Sequence, residues 1–299
     1  MNAKTHHPCG ILLVHKPPGL TSFDVIRTIK KRFSLRRIGH TGTLDKFATG
    51  LLILLLGRYT RLSPFFLEQT KEYLARIRLG ITTDTLDPEG EVTATGLVPD
   101  LETVTRALPG FLGRTHQVPP AYSAVHIDGK RAYQLVRQGK QPQLAARQIY
   151  ISKLDLITYD PPELLIRVRC SKGTYIRSLA RDIGLATGSC GYVLDLTRTA
   201  IGNLKLQQAV VLDDIQPPLQ LYSPVDLVTG LPGVGQLEIK DQFKSKLMTG
   251  VELADPLFSD PPQGEGIFFV FDTGRSLLAV VEKYRAVYRY RAVFQVDGS

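Results

Sequence analysis

Six consecutive aliphatic residues, Leu51 to Leu56, limit what this chain can fold into more than any other feature. A strand with apolar side chains on both faces needs cover on both sides, so the run reads as a fully buried strand inside a layered domain. It is the longest uninterrupted apolar run in the sequence. It is far short of the roughly 20 residues that span a bilayer as a helix. Met1 to Gly10 contains no apolar segment of the secretory type. These readings point to no membrane partner and a cytoplasmic setting.

The neighbouring segments alternate between strand and helix signals. Ile11 to Val14 is a short apolar run stopped by Lys16-Pro17-Pro18-Gly19. Thr21 and Asp24 have the spacing of a capping box, and Phe23, Ile26, Ile29 and Phe33 recur at helical intervals, which predicts a helix over 22–33. Tyr73, Ala75, Ile77 and Leu79 alternate with polar residues as in a half-buried strand, Leu74 excepted. Further helices are predicted over 101–111, 131–138 and 174–186, and further strands over 121–127, 164–170 and 192–197. The proline- and glycine-rich stretch 216–235 reads as a linker. Beyond it, strand-like runs at 267–271, 277–281 and 287–296 suggest a small all-β module. Strands and helices mix without strict βαβ alternation, so the expected fold is α+β, with a mixed, largely antiparallel central sheet flanked by helices. The expected division is 1–230 and 231–299.

Composition narrows the function. The three cysteines, Cys9, Cys170 and Cys190, have neither disulfide-framework nor zinc-ligand spacing, as in a reducing compartment. The six histidines show no metal-ligand spacing, and no Walker loop, G-x-G-x-x-G or G-x-S-x-G occurs. No metal or cofactor is therefore expected. Net charge is +9, and the first 60 residues alone carry ten basic residues against two acids, Asp24 and Asp45. Such a concentrated positive field suits a polyanion such as nucleic acid, and equally a merely solubilising surface.

Four segments are candidates for chemistry. The loop Gly39 to Gly50 holds one carboxylate, Asp45, among small and hydroxyl residues, after a basic run and before the buried strand. Surrounding positive charge favours the ionised form, which suits a nucleophile or electrostatic stabiliser. The competing reading is a turn whose Asp and Thr side chains cap backbone groups. In Cys170 to Arg177 a strand ends, Gly173 turns and a helix starts. Arg177 then falls in a helical first turn, where the dipole disfavours a cation, which hints at an anionic partner such as Asp45; an ordinary surface arginine is the alternative. Pro119 to Lys130 reads as a basic hairpin arm, structural or RNA-clasping. Tyr73 is either core or a ring that stacks on a base.

Taken in order, Gly10–Ser22, Gly39–Gly50, Lys71-Glu72-Tyr73, Pro120–Ala124, Gly129-Lys130 and Cys170–Arg177 resemble the bacterial tRNA pseudouridine synthase family that modifies uridine 55 in the T loop. The similarity covers roughly residues 10–215. The resemblance implies the pseudouridine synthase fold and Asp45 as the essential aspartate, with Arg177 ion-paired to it. It implies that Tyr73 stacks on an extruded base, that Tyr175 and Leu196 line the uracil pocket, and that His40 lies in the RNA-binding cleft. It also implies tRNA as partner, no guide RNA, a monomer, and a degenerate PUA-like RNA-binding module in the tail. The chain departs from the family pattern at Lys46, usually Pro, at His15, usually Asp, and at His126, commonly Lys. Lys46 adds a charge that is expected to meet phosphate. Two other readings stand beside this one: an RNA-binding or RNA-folding module whose catalysis is incidental or lost, and, more weakly, a guide-RNA-dependent synthase subunit, which calls for long basic extensions and a well-formed C-terminal module that this sequence does not show.

Overall fold

A computed structural model describes residues 8–294 except 128, 141, 229, 230 and 232. Leu51–Leu56 lies inside the strand Thr49–Leu56, and all six aliphatic side chains are buried. Its two faces meet different partners. Leu52, Leu54 and Leu56 pack with Val25, Ile26 and Ile29 of the helix Ser22–Arg32. Leu51, Ile53 and Leu55 pack with Phe269, Phe271, Leu277 and Phe294 from the far end of the chain. The run is continuous rather than alternating because both faces are covered. Each such side chain contributes about 1.5–3 kcal/mol by leaving water.

The strand is part of a ten-stranded sheet. From one edge the order runs Val210–Val211, Gly10–Lys16, Thr49–Leu56, Gly191–Ile201, Lys71–Leu79, Glu163–Cys170, Arg147–Asp160 and Gly113–Gln117. Two of these pairings are parallel, Gly10–Lys16 with Val210–Val211 and Thr49–Leu56 with Gly191–Ile201; the rest are antiparallel. The mixed, largely antiparallel α+β architecture expected from the sequence is present. The helix Ile176–Ala186 buries Ile176, Leu179, Ala180 and Ile183 against Ala75, Ile77, Leu164, Ile166 and Val193.

Several boundaries differ from expectation for identifiable reasons. The helix at Thr21 starts where the capping box demands, with Asp24 N–H donating to Thr21 Oγ1 and Thr21 N–H donating to Asp24 Oδ2. Its buried face is Val25, Ile26 and Ile29, whereas Phe23 is 62% exposed. The 174–186 helix begins only at Ile176, because Gly173 adopts φ +77° and Gln117 captures the Tyr175 backbone N–H. The helix after Asp100 tightens to a 3₁₀ turn at Leu108–Phe111, where Pro109 cannot donate. The strand expected over 121–127 contracts to His126–Ile127, paired with Lys130–Arg131; Asp128 of its turn lies outside the described residues. Arg147–Asp160, the longest strand, is absent from the sequence reading because register shifts near Ser152 and Ile157 break its alternation.

The 216–235 stretch is not a free tether. Tyr222 exchanges backbone hydrogen bonds with Ile11, and Pro224–Val228 is helical. Beyond it, Val234–Glu238, Gly266–Phe271, Leu277–Tyr284 and Val287–Val293 form a four-stranded sheet with its own buried layer of Leu237, Ile239, Phe258, Val270 and Val281. This four-stranded sheet is the small all-β module expected beyond the proline- and glycine-rich stretch. Residues 295 and 296 of the last expected strand lie outside the described residues. No helix among the described residues is long and apolar enough to cross a membrane.

Candidate active site

The loop before the buried strand is held by cations that bond its backbone. Lys16, buried, donates through Nζ to the carbonyls of Pro17 (2.8 Å), Leu20 (2.7 Å) and Lys46 (3.3 Å). Burial pushes its ammonium down to about 8, with Asp45 nearby opposing that. Arg198, also buried, donates to the carbonyls of Leu51 (2.8 Å), Gly42 (3.1 Å) and Thr43 (3.4 Å). Ser22 Oγ accepts from Leu44 N–H at 2.9 Å, and Leu44 and Ala48 are buried on either side of Asp45. A carboxylate on such a loop has little freedom to wander.

Asp45 meets Arg177 through two parallel bonds: Nε to Oδ2 and Nη2 to Oδ1, both 3.1 Å. The same guanidinium donates to Tyr122 O (3.0 Å), Thr85 O (2.9 Å) and Asp87 Oδ2 (3.2 Å). All five N–H groups of Arg177 are thereby used, and two carboxylates flank it. The Arg177 side chain is only 6% exposed and that of Asp87 7%, against 36% for Asp45. Asp45 is the member of the trio that faces outward. Burial pushes the Asp87 carboxyl up, opposed by the Thr85 hydroxyl and by Arg177.

These groups line a cleft of about 750 Å³. Tyr73 and Leu196 form part of its wall from neighbouring strands, Leu196 opposite Ala75 and Tyr73 opposite Arg198. Burial pushes the Tyr73 hydroxyl up, with Arg198 pulling the other way. Tyr175 lines the cleft too, its backbone bonded reciprocally to the Gln117 side chain. Around the cleft stand Lys46, Lys71, Arg131, Arg137 and Lys172, cationic against Glu89.

Of the residues singled out in the sequence, Asp45, Tyr73, Tyr175, Arg177 and Leu196 share this cleft. His40 is not among its lining residues. Its Nδ1 accepts the Gly42 backbone N–H at 3.2 Å, and burial together with Arg198 disfavours its charged form. Lys46 pairs with Glu89 at 2.8 Å rather than projecting alone for phosphate. His15 bonds Thr49 Oγ1 at 2.9 Å, so its ring joins the strand to the end of the loop. Asp87, Arg198 and Lys16 were missed as members of the site. Nothing in the local sequence links Asp87 to Arg177, 90 residues away. Among the described residues no group of three or more His, Cys, Asp or Glu side chains is arranged to hold a metal ion.

Residues 30–176 match the N-terminal domain of the TruB family of pseudouridylate synthases. The tRNA pseudouridine synthase B of Borreliella burgdorferi strain ZS7 is 43% identical over 209 residues, 69% of this chain and 74% of the relative. Its counterpart in Clostridium kluyveri is 35% identical over 274 residues, 91% of this chain and 94% of the relative. Among solved structures, a chain of the archaeal box H/ACA sRNP Nop10–Cbf5 complex matches with a TM-score of 0.74 at 23% identity, covering 98% of this chain and 88% of that one. At that identity the likeness speaks for the fold.

Proposed function

This chain belongs to the TruB family of tRNA pseudouridine synthases, isomerases that make pseudouridine 55 in tRNA, and from that premise we propose how its own residues carry the reaction. Asp45 is the catalytic carboxylate and Arg177 the residue that holds and neutralises it. The observation that carries this reading is the two-pronged Asp45–Arg177 pair in a cleft ringed by cations. The substrate is the T loop of tRNA, recognised without guide RNA; the chain is a monomer acting in the cytoplasm. Support for direct action on tRNA comes from curated relatives at 35–43% identity that are named for it. The segment 231–299 serves as a PUA-like RNA-binding module, consistent with the four-stranded sheet within it.

The isomerisation breaks N1–C1′, turns the uracil and joins C5 to C1′. C5 loses its proton and N1 gains one, so electrons and atoms balance within the substrate and no cofactor is required. The base must first leave its stack, at a cost of a few kcal/mol. Stacking on Tyr73 returns about 1–3 kcal/mol of this, and phosphate contacts with the surrounding cations offset the rest. Leu196 and Tyr175 wall in the detached uracil while it turns. Asp45 then acts by attack on C1′, by addition to C6 or by removal of the C2′ proton; all three need an ionised carboxylate at the same place, which Arg177 provides for. A phenol pushed up by burial keeps its proton, which favours Asp45 over Tyr73 for accepting the C5 proton.

The test uses guide-free, unmodified tRNA tritiated at uridine C5. The intact protein should release one tritium per tRNA, whereas Asp45→Asn should bind the same tRNA and release none. Release by Asp45→Asn at the normal rate would remove Asp45 from the chemistry. RNA folding without release by either protein would favour the binding-only reading.

A further inference from the structure

The helix Ser22–Arg32 has an exposed stripe that its packing does not explain. Phe23 has the helical spacing of a core residue, yet it stands 62% exposed while Val25, Ile26 and Ile29 fill the core. Arg27, one turn on, lies with its Cζ 5.4 Å from the Phe23 ring centroid and is anchored to Asp24 at 3.1 Å. Lys30 and Lys31 continue the same stripe at i+7 and i+8, both exposed, with Arg36 and Arg37 exposed just beyond. The stripe starts at the cleft. Thr21, the helix cap, lines it, as does Lys46, whose charge acts on Asp24.

An exposed aromatic ring layered with a guanidinium, continued by a row of ammonium groups, is a surface that takes unpaired nucleic acid. Bases stack on the ring, and phosphates follow the cations. The positive sign of the stripe, with Asp24 already committed to Arg27, argues against a protein or lipid-tail partner and for RNA. We propose that Phe23 and Arg27 form a second stacking platform, for an unpaired nucleobase next to the extruded uridine in the same RNA, and that Lys30 and Lys31 meet the phosphates leading away from it. This rests on the tRNA-modifying reading above and extends it to a second base.

The chain contains no tryptophan, so Phe23→Trp introduces a single reporter at this spot. Titration with unmodified T-arm stem-loop RNA should quench its fluorescence, and one abasic substitution in the loop other than at the target should abolish the quenching. Phe23→Ala should raise KM about tenfold, the loss falling on KM rather than kcat. Lys30→Gln with Lys31→Gln should lower the slope of log affinity against log salt by about two. Pseudouridine is measured in the same samples. Normal product formation by Phe23→Trp with no quenching at saturating RNA would overturn the platform and leave the enzyme reading intact. Quenching in Phe23→Trp, with no pseudouridine formed by either that variant or the unaltered protein, would overturn the enzyme reading instead. Quenching insensitive to every abasic position would overturn the assignment to a base.

Discussion

Arg177 stands in the first turn of a helix, where the dipole disfavours a cation. The structure resolves that conflict with two carboxylates and two carbonyls gathered round one guanidinium. The conflict was legible in the sequence; the second carboxylate was not, because Asp87 reaches Arg177 only through the fold. Asp87 now has a specific expected role, keeping the guanidinium at the angle that presents Asp45. Asp87→Asn should leave the protein folded and lower kcat by about a hundredfold, the cost of a small misplacement at a reacting group, with KM little changed. Single-turnover measurement on tritiated tRNA checks this, and an unaltered kcat would detach Asp87 from the site. A second residue-scale prediction concerns Lys71, which lines the cleft and donates to the carbonyl of Gln69 at 2.7 Å. Burial pushes its ammonium down to about 8 from an ordinary value of 10.5. Between these two values the unfolded chain holds a proton that the folded chain has released, so this group's contribution to stability rises with pH across that window and is flat below it. The stability of the unaltered protein minus that of Lys71→Met, from urea midpoints, should therefore be constant up to about pH 8 and climb above it. A difference independent of pH up to 10 would contradict the burial argument.

At the scale of elements, what could be read in advance was what local chemistry decides. The Thr21–Asp24 capping box starts its helix because both bonds form within four residues. Leu51–Leu56 is a covered strand because nothing else hides six aliphatic side chains in a row. Arg147–Asp160 escaped notice because its register shifts twice and most of its side chains face water. The spacing of Phe23, Ile26, Ile29 and Phe33 marks the helix but not its buried face, since tertiary packing buries Val25 and leaves Phe23 exposed. The turn from loop to buried strand also shows a constraint invisible in sequence. Gly50 adopts φ +117°, and a Cβ there would lie 2.4 Å from the Arg198 carbonyl oxygen and 2.5 Å from its nitrogen. The two parallel strands meet at this point, Arg198 opposite Gly50. Gly50→Ala must strain the backbone and push apart the strand that carries Arg198, the residue bonding the Asp45 loop. A loss of about 2–4 kcal/mol is expected, combining strain with overpacking. Chemical denaturation measures it, and a change below about 0.5 kcal/mol would mean that the approach is not tight.

At the scale of the whole molecule, the sequence suggested two units joined by a linker, and the packing joins them differently. Phe269, Phe271, Leu277, Val280 and Phe294 lie in one buried cluster with Ile11, Leu13, Leu51, Ile53 and Leu55 of the main sheet. Tyr222 also stitches the intervening stretch to Ile11. Without the C-terminal sheet, Leu51, Ile53 and Leu55 would lose the part of their cover that Phe269, Phe271, Leu277 and Phe294 supply, at about 1.5–3 kcal/mol for each large side chain uncovered. That total rivals the 5–15 kcal/mol by which whole domains are stable. The carbonyls of the Asp45 loop hang from this same strand through Arg198, which bonds Leu51 O and Gly42 O together. Opening the C-terminal sheet should therefore loosen the loop that presents the carboxylate. The expected behaviour is one cooperative unit, in which backbone amides of Leu52–Leu55 and of Phe269–Phe271 exchange with solvent at the same free energy. Native-state hydrogen exchange across low denaturant concentrations measures both sets at once. If the C-terminal amides exchanged at several kcal/mol lower free energy while the central strand stayed protected, the two parts would be independent and the shared cluster would contribute little to holding the active site.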